Sequence, residues 1–133
     1  MSDFPERDWK LLRELKPVTL ERLCERILHR AADITTQSGL TNHQRYIKMW
    51  ELIQEQNQEV ALAFDDHRRS TAFLKILQIH RRGLFTEEEF ARFGEETRKR
   101  EAVAVRVAGR RWLGFLRYTE RAGQSRPRIG TKS

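Results

Sequence analysis

Apolar residues recur along this chain at intervals of three and four, the spacing that lines one side of an α-helix. In the first stretch Trp9, Leu12 and Leu15 fall on one side. The start signal ahead of them is Asp3 as a cap, Pro5 in the first turn and Glu6 three residues after Asp3. Pro17 has no amide hydrogen to donate to residue 13 and it restricts Lys16, so the pattern predicts a break or kink there and a second helix from about Pro17. Along that helix Leu20, Cys24, Ile27, Ala31 and Ile34 recur at spacings of 4, 3, 4 and 3, with Leu23 and Leu28 widening the row. Gly39 then supplies a left-handed residue after the helix end, and Thr41 with Gln44 forms a capping box. From there Tyr46, Trp50, Ile53, Asn57, Val60 and Phe64 repeat at 4, 3, 4, 3 and 4. Matching rows joined by a tight turn predict an antiparallel helical hairpin over residues 18–66. Asn57 interrupts its row. A polar residue there either specifies register or oligomeric state, or lies at the edge of the row in water.

The run Asp65, Asp66, His67, Arg68, Arg69, Ser70 holds no apolar residue and predicts a solvated corner. Phe73, Leu74, Ile76, Leu77 and His80 follow as a fourth helix that stops at Gly83. Thr86 then caps a further helix, Glu89 completes its capping box, and Phe85 is placed to pack on Phe90 as a hydrophobic staple. Glu87, Glu88 and Glu89 suit the positive end of the helix dipole. The segment from Phe73 to Phe93, with Leu74 and Leu77 ahead of Gly83, Leu84, Phe85, Thr86, Glu87, Glu88, Glu89 and Phe90, resembles the short helical module called SHOCT. Such modules are two-helix units near the ends of varied bacterial proteins, and the resemblance implies a role in association rather than chemistry. It covers residues 73–93 only, and the whole chain resembles no family.

Beyond Gly94 a helix is expected through Arg98 to Val105. Ala102 to Val107 also alternate like a short strand, but no second strand signal occurs to pair with it. Farther on, Trp112, Leu113, Phe115, Leu116 and Tyr118 interleave with Arg110, Arg111, Arg117 and Arg121, and the composition of Gly123 to Ser133 predicts disorder. The fold expected is therefore all-α: a small helical bundle built on an antiparallel hairpin, with a basic C-terminal arm. The division expected is a helical domain over 1–97 and the arm over 98–133.

Composition agrees with one domain, at 133 residues and 38% hydrophobic. Charge changes the picture once it is split. Residues 1–97 hold 15 Lys and Arg against 17 Asp and Glu, whereas residues 98–133 hold 11 against 2. Such asymmetry is the pattern of an arm that meets polyanions. No apolar run approaches the roughly 20 residues that cross a bilayer, and the first ten residues carry Asp3, Glu6 and Asp8 where a signal peptide would be basic and apolar. A soluble, cytoplasmic protein is expected, and the lone Cys24, read as a buried inert thiol in the apolar row, agrees with a reducing compartment.

Candidate chemistry is sparse. There is no nucleophile-elbow motif, and no two of His29, His43, His67 and His80 stand three or four residues apart as zinc ligands would. The nearest approach to a diiron motif, Glu25 to His29, has the wrong spacing. Gly39, Gly83, Gly94 and Gly109 are isolated helix stops rather than a phosphate-binding loop. The expectation is a non-enzyme with no cofactor, no metal and no small-molecule substrate. Two roles fit. In one, Arg98, Lys99, Arg100, Arg110, Arg111, Arg117 and Arg121 hold phosphates while Trp112 and Tyr118 stack on unpaired bases of RNA or single strands. In the other, the body is a protein–protein adaptor or homo-oligomer and the tail is incidental. Contact with an anionic membrane surface ranks third.

Overall fold

The computed structural model describes residues 4–107, and every regular element among them is helical. Helix α1 spans Glu6–Thr36 and α2 spans Asn42–Phe64. A 3-10 turn, Arg69–Thr71, leads into α3, Ala72–Arg81. A short α4, Glu87–Ala91, is followed by α5 over residues 95–107. The small helical bundle on a helical hairpin is therefore present, and residues 102–107 are helix rather than strand. Asp3 lies outside the described residues.

The break expected at Pro17 does not occur: α1 runs through it. An internal proline costs a helix about 3 kcal/mol, whereas each fully buried leucine contributes about 1.5–3 kcal/mol. Leu11, Leu12 and Leu15 before the proline and Leu23 after it are all buried in one core, so tertiary burial outweighs the penalty. Thr19, fully buried, turns its hydroxyl back to donate to the carbonyls of Leu15 at 2.8 Å and Lys16 at 3.2 Å.

Both capping boxes form. Thr41 Oγ1 accepts from the Gln44 amide at 3.0 Å while Gln44 Oε1 accepts from the Thr41 amide at 2.8 Å. Thr86 and Glu89 repeat the exchange at 3.0 and 2.9 Å, and the rings of Phe85 and Phe90 sit 6.0 Å apart as a staple requires. Gly39 and Gly83 take positive φ, of 82° and 67°, at the turns that follow α1 and α3.

The core sits at one end of the hairpin. Leu12, Leu15 and Leu23 from α1, Phe64 from the end of α2, Ile76 and Ile79 from α3, then Leu84, Phe85 and Phe93 form one cluster. The α1–α2 hairpin continues well past it: from Cys24 to Glu51 not one residue is buried. Thirteen residues of α1, about 20 Å of helix, thus run with α2 as a two-helix arm, with Ile27 at its base still packed on the edge of the core.

Of the row expected to face inward along α2, Val60 and Phe64 do pack in the core, whereas its earlier members turn outward. Tyr46 is 64% exposed, Ile53 is 39% exposed and Asn57 is exposed, while Leu52, at 3%, and Ala63 are buried. The inward row, Met49, Leu52, Gln56, Glu59 and Ala63, carries two polar residues, so apolar spacing alone points to its richer neighbour.

Helix α5 is docked by a side chain from the far end of the chain. Asp8, 1% exposed, accepts from the Gly94 amide at 3.0 Å and from Thr97 Oγ1 at 2.5 Å. A carboxylate at a helix start meets both unpaired donors and the positive dipole end. Any side chain at residue 94 would crowd it, since a Cβ there would lie 3.3 Å from Asp8 Oδ2. Glu101, buried, pairs with His80 Nδ1. The domain boundary drawn at residue 97 therefore falls inside α5, among residues that pack on the body.

Candidate functional site

Of the residues expected to contact nucleic acid, Arg98, Lys99 and Arg100 belong to α5, whereas Arg110, Arg111, Trp112, Arg117, Tyr118 and Arg121 lie outside the described residues. The three in α5 do not make a basic face. Consecutive helical residues are turned by about 100° from one another, and each of these has an intramolecular partner. Arg98 Nε donates to the Phe93 carbonyl at 3.0 Å, Lys99 Nζ lies 3.5 Å from Glu95, and the Arg100 guanidinium sits 4.0 Å from the centroid of the Phe73 ring. Arg100 also borders a shallow open cleft of about 630 Å³ shared with Phe4, Pro5, Thr97 and Val103.

Two further arginines, not singled out in the sequence, are structural. Arg22 Nη1 and Nη2 hold the Glu89 carboxylate at 2.6 and 2.9 Å, and Nη1 also donates to the Leu84 carbonyl at 2.7 Å. One turn on, Arg26 donates to the carbonyls of Arg82 at 2.5 Å and Gly83 at 2.8 Å. Together they clasp the α3–α4 segment onto α1. The Arg22 hydrogen bonds, helped by the Thr86 amide and hydroxyl, hold the Glu89 carboxyl down at about 2 against the smaller opposing effect of burial. Spacing of four on an otherwise polar side of α1 was the available signal, but solvated arginines give the same pattern.

The corner at residues 65–70 is only partly solvated. Asp65 and Asp66 are exposed, but His67 is half-buried, stacks on Phe64 at 6.0 Å and bonds the Ala63 carbonyl through Nε2 at 2.7 Å. Lys75 Nζ bonds the neighbouring Leu62 carbonyl at 2.8 Å, so two side chains satisfy the orphan acceptors at the end of α2. His67 Nδ1 is buried without a partner, and desolvation pushes the imidazole below its ordinary value. His80 stacks flat on Phe90, centroids 3.8 Å apart, and faces Glu101. These histidines bind helix ends and rings. Among the described residues no group of three or more His, Cys, Asp and Glu side chains is placed to hold a metal ion, and no helix is long and apolar enough to cross a membrane.

What the arrangement leaves open is the arm. Arg22 and Arg26 mark the side of α1 on which α3 and α4 sit, and Cys24 and Leu28, each two residues on, are turned about 200° away. On α2 the same side is marked by Glu59, bonded to Arg82 at 2.5 Å, and Trp50, nine residues earlier, is half a turn away from it. Leu28 at 66%, Tyr46 at 64% and Ile53 at 39% are exposed there, and Cys24 and Trp50 are half-buried between them rather than sealed in a core. The periodicity detected these residues but assigned them to the hairpin's inner seam.

Neither a scan of family models nor searches of curated proteins and of solved structures return a match to this chain.

Proposed function

We propose that this protein is a non-catalytic helical binding protein whose α1–α2 arm is its association element. The observation that carries this reading is the absence of any buried residue from Cys24 to Glu51, in an arm that nonetheless displays Leu28, Tyr46 and Ile53. Exposed apolar residues scattered singly need no explanation, but a contiguous strip on the open side of two paired helices is the surface of an interface. The short SHOCT-like segment over residues 73–93 serves here to brace the base of the arm through Arg22 and Arg26. A photo-crosslinking residue at position 28 is expected to give a discrete protein adduct, and one at the exposed Leu74 on α3 is not. Equal adducts from both positions would refute the assignment to the arm.

A second reading has its own support. The excess of 11 basic over 2 acidic residues in 98–133 favours contact between the C-terminal arm and RNA or single-stranded nucleic acid. The two readings use different ends of the molecule and are compatible. Salt-dependent gel shift at low ionic strength tests the second.

A further inference from the structure

We infer that the partner of the α1–α2 arm is a second copy of the same chain, the two arms closing face to face into a four-helix bundle. This rests on the association reading above and names its partner. The strip runs through Cys24, Leu28 and Ala31 on α1 and Tyr46, Trp50 and Ile53 on α2, residues spaced at four and three as a helix–helix seam demands. Two paired helices with one open apolar side are half of a four-helix bundle, and the missing half has the length, width and chemistry of the arm itself. A twofold axis lets one strip serve both sides of the contact.

Three features favour a second copy over a partner of another chemistry. The first is the polar rim. Toward the base the α1 row ends in Glu21, with Glu25 on its flank, while on α2 Asn57, flanked by Gln54, is the last open position before Val60 and Phe64 pack in the chain's own core. Laying α1 of one copy over α2 of the other sets carboxylates opposite amides, which donate to them, and brings no like charges together. The second is area. An arm about 20 Å long and two helices, roughly 20 Å, wide presents on the order of 500–600 Å² per copy once side-chain relief is counted, so a pair buries roughly 1,000–1,200 Å², at the threshold of about 1,000 Å² for a specific interface. The third is placement. The helices α3 and α4 pack on the opposite side of α1, where Arg22 and Arg26 hold them, so they leave the open side of the arm clear for a second copy. Asn57, a polar residue within an apolar row whose last members, Val60 and Phe64, the chain's own core already covers, then marks where the dimer seam stops and fixes its register.

The test is sedimentation equilibrium on the full chain across a range of concentrations, with circular dichroism on the same samples. Wild type is expected at twice the chain mass at high concentration. Leu28→Glu and Tyr46→Glu change exposed residues and are expected to keep the helical signal while weakening the dimer by more than about tenfold. Leu74→Glu, exposed on α3, should leave it unchanged. A wild type that stays monomeric at every concentration overturns the inference, as does a dimer untouched by both arm substitutions. If the monomer still yields a discrete adduct with a different protein from position 28, self-association alone has failed. If position 28 yields nothing, the association reading has failed with it.

Discussion

Asp8 gives up nearly all its contact with water, and an ionised carboxylate tolerates that only when its lone pairs find donors. The Gly94 amide and the Thr97 hydroxyl supply them across 86 and 89 residues of sequence. Asp8→Ala strands both donors and is expected to cost about 1–3 kcal/mol in urea denaturation, with amide exchange rising first along residues 95–107. Unchanged exchange there would mean that α5 is held by its apolar contacts alone. Two other residues contribute to the response to acid. Glu89 has a folded value of about 2, below its ordinary 4.5, so its stabilisation is full above 4.5 and is lost as pH falls from there toward 2. His67 is also pushed down, so the unfolded chain takes up a proton near 6.5 that the folded chain refuses, and stability falls as pH drops through that value. Stability should therefore decline in two stages on acidification. His67→Gln should abolish its share of the first and Glu89→Gln its share of the second. A wild-type urea midpoint that is flat from pH 7 to pH 5 would remove His67 from the account. At this scale the sequence was legible wherever partners lie within four residues, as in the Thr41 and Thr86 capping boxes. Asp8, Arg22 and Arg26 bond groups dozens of residues away, and nothing local distinguishes them from solvated charges.

At the scale of elements, periodicity identified the hairpin and its turn because Gly39 and Thr41 punctuate the chain where both rows end. It failed at Pro17, where the local penalty was read without the leucines that bury on either side, and it failed in the rotation of α2. That helix carries a row of mixed polarity on its less exposed side and a richer apolar row beside it, of which only Val60 and Phe64, at the base, reach the core. Rotational error has an energetic consequence. Truncation of an isoleucine to alanine costs about 2–5 kcal/mol in a core and much less where solvent already reaches the side chain. Ile76, fully buried in α3, should show the full cost, while Ile53, 39% exposed, should lose less than about 1.5 kcal/mol when measured in dilute monomer. Equal losses at the two positions would contradict the observed rotation. The same pair read at high concentration adds information: Ile53→Ala should then cost more than in dilute protein if the open row is a dimer seam, because part of its burial comes from the second copy.

For the whole molecule the decisive quantity is where charge accumulates relative to the described helices. Through residue 107 the chain holds 19 basic and 18 acidic residues, and three of the four basic ones in α5, Arg98, Lys99 and Arg100, already meet Phe93, Glu95 and Phe73. Residues 108–133 hold seven basic and one acidic. A body so nearly neutral releases few counterions on meeting a phosphate backbone, whereas seven cations can release several, with log K falling by about 0.7 per phosphate neutralised on a single strand for each tenfold rise in salt. A chain ending at Val107 is therefore expected to keep its helical signal and its dimer, since the core, the Asp8 clamp and the arm all precede that point, yet to lose retention of RNA. Ending at Thr97 would be a poorer experiment, because it also removes Glu101 from His80 and Arg100 from Phe73. Within the full chain, Trp112→Ala and Tyr118→Ala should weaken single strands more than duplex, by roughly 1–3 kcal/mol for each base that stacks, while Arg100→Ala changes affinity little. If the full chain retains no RNA at low ionic strength, or the chain ending at Val107 retains it equally, the polyanion reading is wrong. Association through the arm would then stand as the function this fold is built to perform.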